Sequence, residues 1–135
     1  MWDWITALGQ FREKGTPFVL LTVIRVIGSA PRNAGTKMLV ISEDNFLGTI
    51  GGGHLEKVAI QDALECLKTN TAKTIHYPLG PKLGQCCGGT MEIFMEVINT
   101  NPLLYLFGAG HVGTALCKAL QGTPFEVHLI DEREE

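Results

Sequence analysis

The stretch LYLFGAGHVGTAL (Leu104–Leu116) constrains the fold more than any other part of the chain. An apolar run meets Gly108, Gly110 and Gly113 in a G-x-G-x-x-G arrangement, and a helical pattern follows. A second apolar run, FEVHLID, ends in Asp131, roughly the 20 residues on at which a dinucleotide fingerprint places its acid. The order strand, glycine turn, helix, strand reads as one βαβ unit. In that reading Gly108 allows the tight turn, Gly110 the close approach of a pyrophosphate, and Gly113 the packing of helix on strand. The N–H groups at the helix start would receive phosphate, and Asp131 ribose hydroxyls. A βαβ turn without a nucleotide is the competing reading.

Upstream of this unit the pattern changes. Trp4, Leu8 and Phe11 recur at helical spacing, with Gly15 as a stop. PFVLLTVIRVI (Pro17–Ile27) is rich in β-branched residues and reads as a buried strand. GSAPRNAG (Gly28–Gly35) is a turn cluster. TKMLVIS and FLGTI read as two strands joined by a polar turn. GGGHLEKVAIQDALECLKTN carries a helical stripe of Leu55, Val58, Ala59, Ala63, Cys66 and Leu67. AKTIHYP and the alternating TMEIFMEVI are two further strands, and Asn99–Pro102 is a linker. The expected architecture is an α+β N-terminal domain over residues 1–100. The start of a Rossmann-like α/β domain, one βαβ unit, follows over residues 101–135.

Composition narrows the function classes. The 135 residues are 45% hydrophobic and 19% charged, with a formal net charge of −3. No basic block marks a nucleic-acid surface. The opening MWDWITALGQ does not have the makeup of a secretory signal, and the longest apolar run is too short to span a membrane. Four cysteines, two of them adjacent, do not form a disulfide framework. The expectation is a cytoplasmic protein.

Three stretches besides the βαβ unit carry chemistry. In GTIGGGHLE (Gly48–Glu56), Gly51, Gly52 and Gly53 would present consecutive N–H groups to an anion, since no Cβ blocks approach. His54 and Glu56 follow in the first helical turn, where Glu56 also suits the helix dipole. In the turn after the first strand, Arg32 is a fork for phosphate or carboxylate, with Lys37 nearby; a solvated loop charge is the simpler alternative. In GPKLGQCCGG, Cys86 and Cys87 stand side by side between glycines. A disulfide between neighbours is strained, a zinc site lacks ligand spacing, and packing in the core is a further alternative. The functional reading is a pair of accessible thiols that bind a soft metal or pass a sulfur atom. Cys66 and Cys117 lie in apolar helical patterns and read as core.

Taken together, GSAPRNAGTKMLV, GTIGGGHLE, GQCCGG and LFGAGHVG…DEREE resemble the XdhC/CoxI family, accessory factors for xanthine dehydrogenase and related molybdenum hydroxylases. The resemblance runs in order from about Phe18 to Glu135. It implies binding of the molybdenum cofactor (molybdopterin), help with its terminal sulfuration by sulfur from a cysteine desulfurase, and delivery to a molybdenum hydroxylase. On that reading Cys86 and Cys87 handle the molybdenum–sulfur centre. Gly51, Gly52, Gly53 and Arg32 hold the cofactor's phosphate. Gly108, Gly110, Gly113 and Asp131 take a nucleotide or dinucleotide portion. Members of that family continue into a full Rossmann-like domain. A maturation chaperone fits this pattern better than a catalyst. The alternative from another class is an NAD(P)- or flavin-dependent oxidoreductase with a redox-active cysteine. The open edges of one βαβ unit further lead us to expect a homodimer.

Overall fold

A computed structural model describes residues 3–83, 88–98 and 101–133. Two compact units divide the chain, residues 1–99 and 100–135, and each is described by itself.

The first unit is a five-stranded antiparallel sheet with one helix on each face. Its elements are α1 (Trp4–Glu13), β1 (Phe18–Ile27), β2 (Lys37–Ser42), β3 (Asn45–Gly48), α2 (Gly53–Thr69), β4 (Lys73–Pro78) and β5 (Thr90–Ile98). A single 3₁₀ turn, Pro81–Leu83, lies between β4 and β5. The strand order is β3-β2-β1-β5-β4. β1 is central, pairing Leu21 with Met38 of β2 on one side and with Met95 of β5 on the other.

The central place of β1 explains its unbroken apolar composition. Alternate residues point to opposite faces, and both faces of this strand are covered. Val19, Leu21 and Val23 join Met38, Val40, Met91, Ile93 and Met95 beneath Leu55, Ala59, Ala63 and Cys66 of α2, all fully buried. Phe18, Leu20 and Leu39 face the other way, against Ala7, Trp4, Leu8 and Phe11 of α1. β5 alternates strictly because its second face is only partly covered, leaving Glu96 exposed.

Element ends follow local chemistry. Asp3 caps α1 by accepting from the Ile5 N–H at 3.0 Å. Asn70 ends α2 in the left-handed conformation at φ 50°. The second short strand ends at Gly48 rather than at Ile50, which leaves the ladder and is fully buried.

The second unit consists of β6 (Leu103–Phe107), α3 (His111–Ala119) and β7 (Glu126–Ile130). β6 and β7 are parallel, in register from Leu103↔Glu126 to Phe107↔Ile130. Leu104 and Leu106 are half-buried, whereas Leu103, Tyr105 and Phe107 on the opposite face are exposed, Phe107 by 80%. α3 ends at Ala119, short of the Gly122 at which the apolar pattern stops. Among the described residues no helix is long and apolar enough to cross a membrane.

Candidate functional site

Pairing of β1 with β5 sets the first site. Ile27 ends β1 opposite Thr90, the first residue of β5. The turn after β1 and the segment before β5 therefore leave the sheet side by side. Ser29 and Gly88 form an isolated parallel bridge. Gly89 is buried, and a Cβ there would collide with the carbonyl oxygens of Ser29 and Ile27. The Leu79 N–H donates to the Gly89 carbonyl, and the Gly88 N–H to the Leu79 carbonyl, both at 2.8 Å. These bonds close the base of the segment that carries Cys86 and Cys87. The two cysteines themselves lie outside the described residues; their neighbours Gly88 and Gly89 are the ones held.

A third loop joins the other two. Gly51 has φ +141°, and a Cβ at that position would lie 2.5 Å from Pro31 Cγ. The turn GSAPR, the glycine triplet and the base of the cysteine loop thus meet at one end of the sheet, although they come from three distant parts of the chain. Gly52 and Gly53 also have positive φ, which the strand-to-helix turn requires.

Within the glycine triplet the donors have a receiver. Glu56 Oε2 accepts from Thr49 Oγ1 at 2.5 Å, from the Ile50 N–H at 3.2 Å and from the Gly52 N–H at 3.0 Å. The Gly51 N–H donates to Thr49 Oγ1 at 3.2 Å. In place of an outside anion, the Gly52 N–H thus meets a carboxylate of the chain itself and the Gly51 N–H a hydroxyl that is bonded to that carboxylate. The N-cap of α2 is Gly52, which has no side chain to bond the N–H groups of the first turn, groups that lack intrahelical partners. His54 is exposed there. Sequence reading had placed Glu56 in the first turn and did not foresee its three donors. The usable signal was a threonine and a glutamate flanking the glycines.

Arg32 is exposed at the rim of these loops and makes no hydrogen bond or ion pair among the described residues. Lys37 does not join it. Its Nζ donates to Thr22 Oγ1 at 3.1 Å and lies 5.1 Å from the Trp4 ring centroid, on the α1 side of the sheet. Cys66 is on the buried face of α2, and burial pushes its thiol above the ordinary range. Cys117 is only half-buried, so its helical pattern marks a partly covered face. Among the described residues no group of three or more His, Cys, Asp or Glu side chains is arranged to hold a metal ion.

The glycine turn of the second unit forms a separate site. Gly108 has φ +101°, and a Cβ on Gly113 would strike the Gly108 carbonyl oxygen. Gly110 is the N-cap of α3, with no side-chain cap. Asp131, at the end of β7, accepts the Ala109 N–H on Oδ2. Arg133 donates to the same carboxylate through its backbone N–H (2.9 Å), Nε (2.8 Å) and Nη2 (2.9 Å). The Arg133 side chain, and next the Ala109 N–H, hold the Asp131 carboxyl well below the usual carboxylate range. Arg133 lay within the quoted DEREE stretch, but its pairing with Asp131 was not anticipated.

Fold and sites together define a mixed α/β protein: a sheet with three loops meeting at one end, one of them a glycine triplet, and a βαβ unit with a glycine turn. The chain belongs to the XdhC and CoxI family, whose model matches residues 11–78. It is 31% identical over 130 residues to YqeB, an uncharacterized protein of Escherichia coli K12; the alignment spans 93% of this chain and 24% of YqeB. It is 29% identical over 94 residues to PaoD, a molybdenum cofactor insertion chaperone of the same organism, spanning 67% of this chain and 30% of PaoD. Among solved structures it resembles a xanthine dehydrogenase from Bacillus halodurans, with a TM-score of 0.66 and 25% identity over 74% of this chain and 32% of that one. The chain thus spans a quarter to a third of the length of these relatives.

Proposed function

We propose that this chain binds the molybdenum cofactor and serves in the maturation of a xanthine dehydrogenase-type molybdenum hydroxylase. The observation that carries the reading is the meeting of three loops at one end of the sheet, beside the base of the segment bearing Cys86 and Cys87. Membership of the family and similarity to PaoD support it.

The residues fit such a group. A molybdenum–dithiolene centre is soft, and thiolates are soft ligands. Cys86 and Cys87 would contact that centre while its terminal sulfur is installed, with a cysteine desulfurase as the sulfur source. The cofactor's phosphate would lie at the start of α2, over Gly53, with Arg32 as a nearby cation. Gly51 and Gly52 shape this turn, and their N–H groups reach a ligand only if Thr49 and Glu56, which receive them here, give way. The Gly108–Gly113 turn, with Gly110 at the helix start and Asp131 at the strand end, would open a Rossmann-like nucleotide site. A second copy of the chain would cover the exposed strand face of Leu103, Tyr105 and Phe107, and the cytoplasm suits these partners.

The test is cofactor retention. The full chain, purified anaerobically from cells that make the cofactor, should carry molybdenum by elemental analysis and pterin by fluorescence after oxidation. Cys86→Ala and Cys87→Ala should each lower both signals with unchanged circular dichroism. A parent protein without either signal, or variants that retain both in full, would overturn the reading. Light scattering on the same samples reads whether the chain is a dimer.

A further inference from the structure

We infer that the glycine turn of the second unit, read as a nucleotide site, selects a dinucleotide whose ribose carries a phosphate, and that Arg133 is the residue that selects it. The inference rests on the nucleotide reading of Gly108–Gly113 given above and names the ligand class for that site.

The argument starts from the capacity of one carboxylate. An acid at the end of the second strand serves a dinucleotide by accepting ribose hydroxyls. An ionised carboxylate has about four lone-pair positions. Asp131 already receives four donors. Oδ1 takes the Arg133 N–H and Nε, and Oδ2 takes Arg133 Nη2 and the Ala109 N–H. The carboxylate thus has no lone pair left for a diol. Its charge is also matched by the guanidinium, so Asp131 does not repel an anion as a bare carboxylate would.

What the strand end presents instead is Arg133. Its side chain is 66% exposed, whereas that of Asp131 is 16% exposed. A guanidinium has five N–H donors in a planar fork. Nε and one hydrogen of Nη2 go to Asp131, and this bidentate pair fixes the plane in which the remaining donors of the exposed guanidinium lie. A fixed cationic donor beside a glycine turn suits a phosphate oxygen better than a neutral hydroxyl. Asp131 is then a positioning residue: it holds the Ala109 end of the turn and aims Arg133.

The experiment titrates the full chain with NADP+ and with NAD+ by calorimetry, in the parent and in the Arg133→Ala and Arg133→Lys variants. The expected result is at least tenfold tighter binding of NADP+ by the parent. Arg133→Ala should abolish the preference, and Arg133→Lys should keep part of it. NAD+ binding as tight as NADP+, or a preference that survives Arg133→Ala, would overturn the inference and leave the nucleotide reading in place. Failure of both dinucleotides to bind would overturn the inference and the nucleotide reading together, without touching cofactor retention by the first unit.

Discussion

Gly89 lies directly against the Ser29 carbonyl, with no room for a side chain between the two backbones. This approach ties the turn after β1 to the base of the cysteine loop. Gly89→Ala should therefore be costly, because the atoms in the way are backbone and cannot swing aside. We expect a loss of about 1–3 kcal/mol or more, as for overpacking elsewhere. Gly80→Ala, with open space around the added Cβ, should stay within about 0.5 kcal/mol of the parent. Urea unfolding of both variants checks the contrast; equal stability would mean the two loops do not touch in solution.

Glu56 gathers the donors of the glycine turn on one oxygen. Glu56→Ala leaves Thr49, Ile50 and Gly52 without that acceptor. Hydrogen bonds to a charged group are worth about 1.5–3 kcal/mol when buried, and this site is only partly so. A net loss of about 2 kcal/mol is expected, and about half of that for Glu56→Gln, which keeps a neutral acceptor. Thermal unfolding at pH 7 measures it. Amide exchange at Ile50 and Gly52 should accelerate in Glu56→Ala, and unchanged rates there would contradict the assignment.

Tyr77, buried on β4, donates its hydroxyl to Asp62 Oδ2 of α2 at 2.5 Å. Burial first, and then the bond to Asp62, raise the phenol far above its ordinary range. The folded state therefore keeps the proton after the unfolded chain has lost it. The stabilisation is fully present below about pH 10, the unfolded value, and declines as pH rises above it. Tyr77→Phe should cost about 1–2 kcal/mol at pH 7. The gap between parent and variant should shrink above about pH 10, as read by urea unfolding across the alkaline range. A gap independent of pH would remove the buried phenol from the account.

The Asp131 carboxyl, depressed first by Arg133, should titrate well below the ordinary carboxylate range. Its contribution is present above about pH 4, the ordinary carboxylate range. It is lost progressively as pH falls below that range and through the lower folded value. Carbon-detected NMR titration of the side-chain carboxyls reads this directly. In Arg133→Ala the Asp131 midpoint should move up toward the ordinary range. A midpoint that does not move would mean the guanidinium is not seated on Asp131 in solution.

Much of the fold is written in local sequence. The period of two in TMEIFMEVI, the unbroken apolar run of β1 and the helical stripe of α2 each report which faces are buried. That record is local because side-chain direction repeats along the element. The G-x-G-x-x-G spacing likewise announced a turn between parallel strands, since Gly113 must pack on Gly108. The ordered GSAPR, GGGH and QCCGG motifs resembled the family to which the chain belongs. Only the tertiary structure decided which loops meet. β5 inserts beside β1 across a long sequence separation, and nothing in the periodicity of either strand encodes that neighbour. From it follow the Ser29–Gly88 bridge and the contact of Gly89 with Ser29. Side-chain partners were equally hidden: Glu56 turning back onto Thr49, Lys37 turning to the α1 face, and Arg133 filling Asp131. Each depends on rotamer and on the positions of distant backbone donors, which residue type and spacing do not specify.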